Sequence, residues 1–178
     1  MVAFTPRVNF EPVTQTAAAA DVTLNFHCTN APAATQIKGV NDLILSFSPD
    51  PVPDIIAIGD TVTHDGILRV PSGGSAAFAV ATSNVGSGAP ITVTPLATSA
   101  VPLQLLICET DALTGTCLAP PTGSVSRLYT AGETATWGIF GAAGGEITFD
   151  PASTRVSVQF IDEGGILRGA TSVAVTTP

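Results

Sequence analysis

Apolar residues recur at every second position along most of this chain, and this alternation limits its possible folds more than any other feature. In residues 155–160, for example, Val156, Val158 and Phe160 alternate with polar side chains. The same pattern marks residues 8–12, 21–28, 42–48, 91–94 and 173–175. A period of two places the apolar side chains of an extended strand on one face, so each segment is predicted to be a strand with one buried face.

Glycine and proline separate these segments. The chain has 17 Gly and 14 Pro among its 178 residues, and turn signals recur along it at intervals of roughly 8–12 residues. No window shows the apolar spacing of a capped helix. We therefore predict an all-β fold, namely an immunoglobulin-like antiparallel β-sandwich with an additional N-terminal strand segment.

The predicted core is set by the strand register. Val156, Val158 and Phe160 should pack in the sandwich together with Phe78 and Val80. Residues 75–82 are apolar on both faces, which is typical of a central strand in a sheet covered on both sides.

A proline-rich segment divides the chain. Residues 49–54 contain three prolines, which a central strand does not tolerate, so they are predicted to be a linker. Residues 55–178 hold about nine candidate strands, enough for a complete immunoglobulin-like sandwich. Residues 1–48 hold only three, which need a partner surface; they are predicted to be an arm or the end of a preceding module.

Two of the three cysteines are predicted to form a disulfide. Cys108 follows an apolar run, and a loop with a turn at Gly115 leads back to Cys117. Two strand ends joined by such a loop can bring the sulfurs within bonding distance. Cys28 continues an apolar alternation and is expected to be a buried, inert thiol. A disulfide indicates an oxidising compartment, so we expect the protein to be extracellular or on a cell surface.

Net charge and hydropathy disfavour nucleic acid and membranes as partners. Six Lys and Arg against 14 Asp and Glu give a formal net charge of −8, which disfavours nucleic acid as a partner. No segment approaches the ~20 apolar residues of a membrane-spanning helix, so no membrane insertion is expected.

The first twenty residues lack the basic and apolar regions of a signal peptide, so we expect them to follow a removed signal or to lie inside a longer protein.

Three pieces of the chain carry a family resemblance: residues 75–86, residues 107–121 with both cysteines, and residues 149–175. Together they resemble immunoglobulin-like β-sandwich modules repeated in large secreted or surface proteins of bacteria. The strand that ends in Asn84-Val85-Gly86 is also similar to bacterial adhesion modules. The resemblance implies a sandwich fold and a secreted or surface location, and it brings no catalytic motif.

The chemistry of individual residues points away from an enzyme. The sequence predicts no catalytic residue, no cofactor and no metal site, since His27 and His64 stand in unrelated contexts and no nucleophile has an adjacent base. Acids such as Asp60, Asp65 and Asp162 lack calcium-loop spacing and are expected to be solubilising turn residues. Trp137 is predicted to be a core residue, whereas Tyr129 fits either a buried corner or a surface position.

These observations favour a non-catalytic extracellular structural protein, either a surface adhesin module or the subunit of a fibre assembled by β-strand pairing. Its partners would be copies of itself, joined head to tail, or neighbouring modules. Residues 2–13 are the candidate exchanged strand, with Val8 and Phe10 filling apolar pockets. In the alternative reading the arm pairs with its own sandwich. Two other functions stay open: a glycan- or calcium-binding module of a secreted protein, and a virion decoration protein.

Overall fold

A computed structural model describes residues 19–25, 29–30, 32–37, 40–46 and 48–178. The described residues form eleven strands and no helix. The strands are β1 (Ala19–Thr23), β2 (Asp42–Ser46), β3 (Ile55–Thr61), β4 (Ile67–Arg69), β5 (Ser75–Asn84), β6 (Ala89–Ala97), β7 (Leu103–Thr110), β8 (Val125–Tyr129), β9 (Thr134–Ala143), β10 (Arg155–Asp162) and β11 (Leu167–Thr176). Consequently, no helix in these ranges is long and apolar enough to cross a membrane.

The fold is all-β, as predicted, with nine strands between residues 55 and 178. They form a five-stranded sheet in the order β4-β11-β10-β6-β8 and a four-stranded sheet in the order β3-β5-β9-β7. β1 and β2 form a separate antiparallel pair. The predicted strand 21–28 differs from β1, which ends at Thr23 and leaves Leu24 and Asn25 outside any strand.

One pair of strands departs from the predicted antiparallel arrangement. β4 lies parallel to β11, with Ile67 opposite Ala174. The remaining pairs are antiparallel, so the five-stranded sheet is mixed. A strand of three residues shows no periodicity, which is why the alternation in the sequence did not reveal this pair.

Both larger sheets contribute to one apolar core, which contains the five predicted residues. Phe78 and Val80 come from the four-stranded sheet, and Val156, Val158 and Phe160 from the five-stranded sheet; all five are at most 3% exposed, which confirms the prediction. The strand register explains this, because Phe78 and Val80 share one face of β5, and Val156, Val158 and Phe160 share one face of β10; Ser157, on the opposite face of β10, is also buried.

Two buried aromatic rings link the sheets through hydrogen bonds. Trp137 is fully buried, as predicted, and packs edge-on against Phe160 with ring centroids 6.4 Å apart. Its Nε1 donates to the hydroxyl of Tyr129 at 3.1 Å, and that hydroxyl lies 2.9 Å from Thr82 Oγ1. Thr82 Oγ1 in turn donates to the carbonyl oxygen of Ala135. Tyr129 is therefore a buried corner residue, and burial raises the pKa of its phenol.

The expected cover over β5 is missing from the part of the chain described. Phe78, Val80 and Thr82 point into the core, but Ala79 and Ala81 on the opposite face are exposed. β5 is a central strand, between β3 and β9, yet only its inner face is covered.

Candidate functional site: an open sheet edge

The two larger sheets have four edge strands, and three of them are poorly suited to accept another strand. β4 has three residues and β8 has five, and short edges limit pairing. β7 is longer, but the chain returns along its outer side: Ile107 and Thr122 exchange two backbone hydrogen bonds of 2.7 and 2.9 Å. The amide of Leu118 adds a bond of 2.9 Å to the carbonyl oxygen of Glu109.

The disulfide holds this returning segment against β7. Cys108 Sγ is bonded to Cys117 Sγ, with a Cα–Cα distance of 5.6 Å, and the loop between them turns at Gly115, whose φ is 70°. Asp111 organises the loop, since its carboxylate accepts the amides of Leu113 and Thr114. These bonds, the Thr114 amide first, lower the pKa of Asp111. The disulfide thus protects an edge of the four-stranded sheet.

β3 is the remaining edge, and it is open. It is seven residues long, and no strand of the described ranges pairs with its outer side. Ile56 and Ile58 point away from the core and are 52% and 66% exposed. Its first residues line a cleft of about 290 Å³ whose far wall includes Val40 and residues 42–44. An exposed apolar edge strand of this length is a template for another strand.

Asn84 fixes the position of β3. Its side chain is fully buried and uses its whole hydrogen-bonding capacity: Oδ1 accepts from the amides of Asp54 and Gly86, and Nδ2 donates to the carbonyl oxygens of Ser87 and Thr130. The entry to β3 is thereby fastened to the turn that follows β5. An added Cβ at Gly86 would lie 2.3 Å from the carbonyl oxygen of Val52, so only glycine allows this close approach.

A polar turn closes the other end of β3. The Nδ1 atom of His64 lies 2.8 Å from a carboxylate oxygen of Asp60, and His64 has a φ of 55°. Asp65 accepts hydrogen bonds from Thr63 and the Ile67 amide and pairs with Arg69 at 2.8 Å. The Thr63 hydroxyl, with smaller contributions from Arg69 and the Ile67 amide, lowers the pKa of Asp65 to about 2.

Three of the acids considered for calcium, Asp60, Asp65 and Asp162, each form an ion pair with another side chain. Asp60 pairs with His64, Asp65 with Arg69, and Asp162 with Arg168 at 2.7 Å. No group of three or more His, Cys, Asp or Glu side chains that could hold a metal ion occurs in the described ranges.

The other predicted site residues are located as follows. Val8 and Phe10, the strand-exchange candidates, lie outside the described residues, as do His27 and Cys28. Cys108 and Cys117 lie at the protected β7 edge. The exposed edge residues Ile56 and Ile58 were not singled out from the sequence, although the run Ile55-Ile56-Ala57-Ile58, which is apolar on both faces, is a signal that could have identified them.

Comparisons with known proteins give distant matches in structure alone. Neither protein-family profiles nor curated protein sequences match the chain. A family 123 glycoside hydrolase from Clostridium perfringens is similar at 9% identity and a TM-score of 0.42; the match covers 69% of this chain but only 27% of that enzyme. AvmM, which catalyses macrocyclization in alchivemycin A biosynthesis, matches at 12% identity over 70% of this chain and 90% of its own, with a TM-score of 0.40.

A third similar structure is PapD-like domain 7 of human CEP192. It is 9% identical, the match covers 80% of this chain and 98% of that domain, and the TM-score is 0.36. Similarity at this level assigns no family and no activity to the chain.

Proposed function

We propose that this chain is an immunoglobulin-like β-sandwich module of a non-catalytic extracellular structural protein, a surface adhesin or a fibre subunit, that assembles by β-strand pairing. The sandwich reading is supported by two sheets of four and five strands that share one apolar core. The disulfide supports an extracellular location, because such bonds persist in oxidising compartments.

The observation that carries the proposal is the open β3 edge. Of the four edges of the larger sheets, two are short and one is shielded by the Cys108–Cys117 loop, whereas β3 is seven residues long and no strand of the described ranges pairs with its outer side. Main-chain hydrogen bonds to such an edge supply affinity, and alternate side chains supply specificity.

Residues 2–13 are the proposed donor. Val8 and Phe10 are separated by one residue, so in an extended strand their side chains lie on one face. On the outer face of the sheet they would lie beside Ile56 and Ile58. A donor from a neighbouring copy makes a head-to-tail contact, and such a contact generates a filament.

Deleting residues 1–13 tests the proposal. The shortened chain should keep the thermal unfolding transition of the full chain but lose filaments in electron microscopy and large species in light scattering. A full-length double variant, Val8→Asp with Phe10→Asp, should behave in the same way. Its matched control, Thr14→Asp with Thr16→Asp, adds the same charge outside the donor and should still assemble.

Two results would contradict strand exchange. One is a full-length chain that stays monomeric at every concentration, which would favour the arm pairing with its own sandwich. The other is loss of the unfolding transition on deletion, which would make residues 1–13 part of a single folded unit.

A further inference from the structure

The segment that returns along the outer side of β7, residues 111–124, is almost entirely exposed. Residues 112–116 and 118–124 all lie at the surface, among them Leu113 and Leu118 at 96% and 63% exposure. Asp111 and Cys117 are half-buried. Burial of apolar side chains is the main source of cohesion in a fold, so this returning segment lacks the force that holds the two sheets together.

Backbone hydrogen bonds join the returning segment to β7 at two points. Ile107 and Thr122 exchange two bonds, and the amide of Leu118 donates to the carbonyl oxygen of Glu109. Residues 120–121, between these points, are both proline and have no amide hydrogen to donate. Backbone bonds at an exposed surface compete with water and contribute little net stability, so they hold the segment weakly by themselves.

The disulfide is the covalent link between the returning segment and β7. Cys108 lies within β7 and is 1% exposed, whereas Cys117 belongs to the segment. When the hydrogen bonds of the segment open, the disulfide keeps Cys117 beside Cys108, and the bonds can form again at once. Without the disulfide, the open segment gains the conformational freedom of an unconstrained loop.

We propose that this disulfide is a redox-sensitive latch: reduction by a dithiol releases residues 111–124 from β7 and exposes a second long edge on the four-stranded sheet, while the core stays folded. The core does not depend on the latch, because β7 stays paired with β9 along Leu103–Thr110 and Ile107 stays packed inside. The released edge is eight residues long, and it lies at the opposite side of the same sheet from β3.

The release step is a thiol–disulfide exchange. A thiolate of the dithiol attacks Sγ of Cys117, which belongs to the more exposed of the two residues; the protein disulfide breaks, a mixed disulfide forms, and Cys108 leaves as a thiolate. The second thiolate of the reductant then attacks its own sulfur in the mixed disulfide and frees Cys117. Both cysteines are reduced and take up the two protons of the dithiol, which is oxidised to its cyclic disulfide.

Hydrogen exchange followed by NMR, with and without dithiothreitol, tests the latch. The amide of Ile107 points to the returning segment, whereas the neighbouring amides of Leu106 and Cys108 point to β9. Reduction should speed exchange at Ile107 by roughly 100-fold and leave Leu106 and Cys108 protected.

Two variants separate the disulfide from the rest of the segment. Cys117→Ser should show the fast exchange at Ile107 without any reductant, because it cannot form the bond. Leu118→Ser is the matched control: it changes an exposed side chain of the same segment and keeps the disulfide, so exchange at Ile107 should stay slow until dithiothreitol is added.

Three results would overturn the latch. Slow exchange at Ile107 after complete reduction, verified by intact mass, would show that the backbone bonds alone hold the segment. Fast exchange at Leu106 and Cys108 as well would show that β7 itself separates from β9. Loss of the thermal unfolding transition in both the reduced chain and Cys117→Ser would show that the disulfide supports the whole fold rather than the returning segment.

Discussion

Replacing Asn84 by alanine should be among the most damaging single changes to this fold. The buried amide makes four hydrogen bonds to backbone groups of Asp54, Gly86, Ser87 and Thr130, at distances of 2.8–3.2 Å. A typical hydrogen bond contributes about 0.5–1.5 kcal/mol net. Because the four backbone partners are only partly buried and can recruit water, we expect a loss of about 3 kcal/mol, equivalent to a fall in Tm of roughly 10 °C.

Urea unfolding followed by tryptophan fluorescence measures this loss, because the single Trp137 lies in the core. Asn30→Ala is the matched control, since Asn30 is exposed, and it should change the free energy of unfolding by less than about 0.5 kcal/mol. Asn84→Asp removes the two donors and places a carboxylate against two carbonyl oxygens, so its destabilisation should be smaller at about pH 5 than at pH 7. A loss below about 1 kcal/mol for Asn84→Ala would refute the role assigned to this residue.

Three further predictions concern the core, the disulfide and acid stability. Phe160→Ala should destabilise the protein by about 3–5 kcal/mol, because the ring is fully buried against Trp137; a change below about 1 kcal/mol in urea unfolding would remove Phe160 from the core. Intact-mass analysis should show that Cys108 and Cys117 react with an alkylating reagent only after reduction, and reduction should lower the free energy of unfolding by about 2.7 kcal/mol. Two reactive thiols in the untreated protein, purified from its native compartment, would argue against the bond. The pKa values of Asp65, Asp111, Glu133, Asp150 and Asp162 are all lowered in the folded state. Their stabilising effect is therefore complete above the unfolded values near pH 4 and is lost as the pH falls toward about 2, so Tm should be level down to about pH 5 and then decline; a decline that begins near pH 7 would contradict this.

The balance at Asp162 shows how a lowered pKa arises at a partly buried site. Burial alone raises the pKa of this carboxyl, but the Ile166 amide and the Arg168 guanidinium donate to it and together bring the pKa below its usual value. The same bonds close the turn between β10 and β11, where Gly165 has a φ of 76°.

Local patterns in the sequence predicted several of the strands and much of the core. Alternation over residues 155–160 was enough to place Val156, Val158 and Phe160 inside, because a strand has only two faces. The disulfide between Cys108 and Cys117 was also predicted from local sequence, since nearby residues set the turn of the loop that joins them.

Features that depend on contacts between distant parts of the chain could not be predicted from local sequence patterns. Asn84 looks like an ordinary turn residue in the sequence, and its burial depends on Thr130 and Asp54, which lie far away along the chain. Tyr129 stayed ambiguous for the same reason, since its hydroxyl partners are on β5 and β9. The open edge at β3 follows from strand order, which periodicity does not determine.

The parallel pairing of β4 with β11 has a consequence for how this chain reaches its native state. β11 lies between β4 and β10, and it carries the core residues Val173 and Val175. During synthesis β4 emerges early and stays unpaired until β11, the last of the eleven strands, is available. Contacts of such long range slow folding to about milliseconds to seconds. The two larger sheets therefore cannot complete their shared core while Leu167–Thr176 is still inside a ribosome, and the fold is completed only after this strand has emerged.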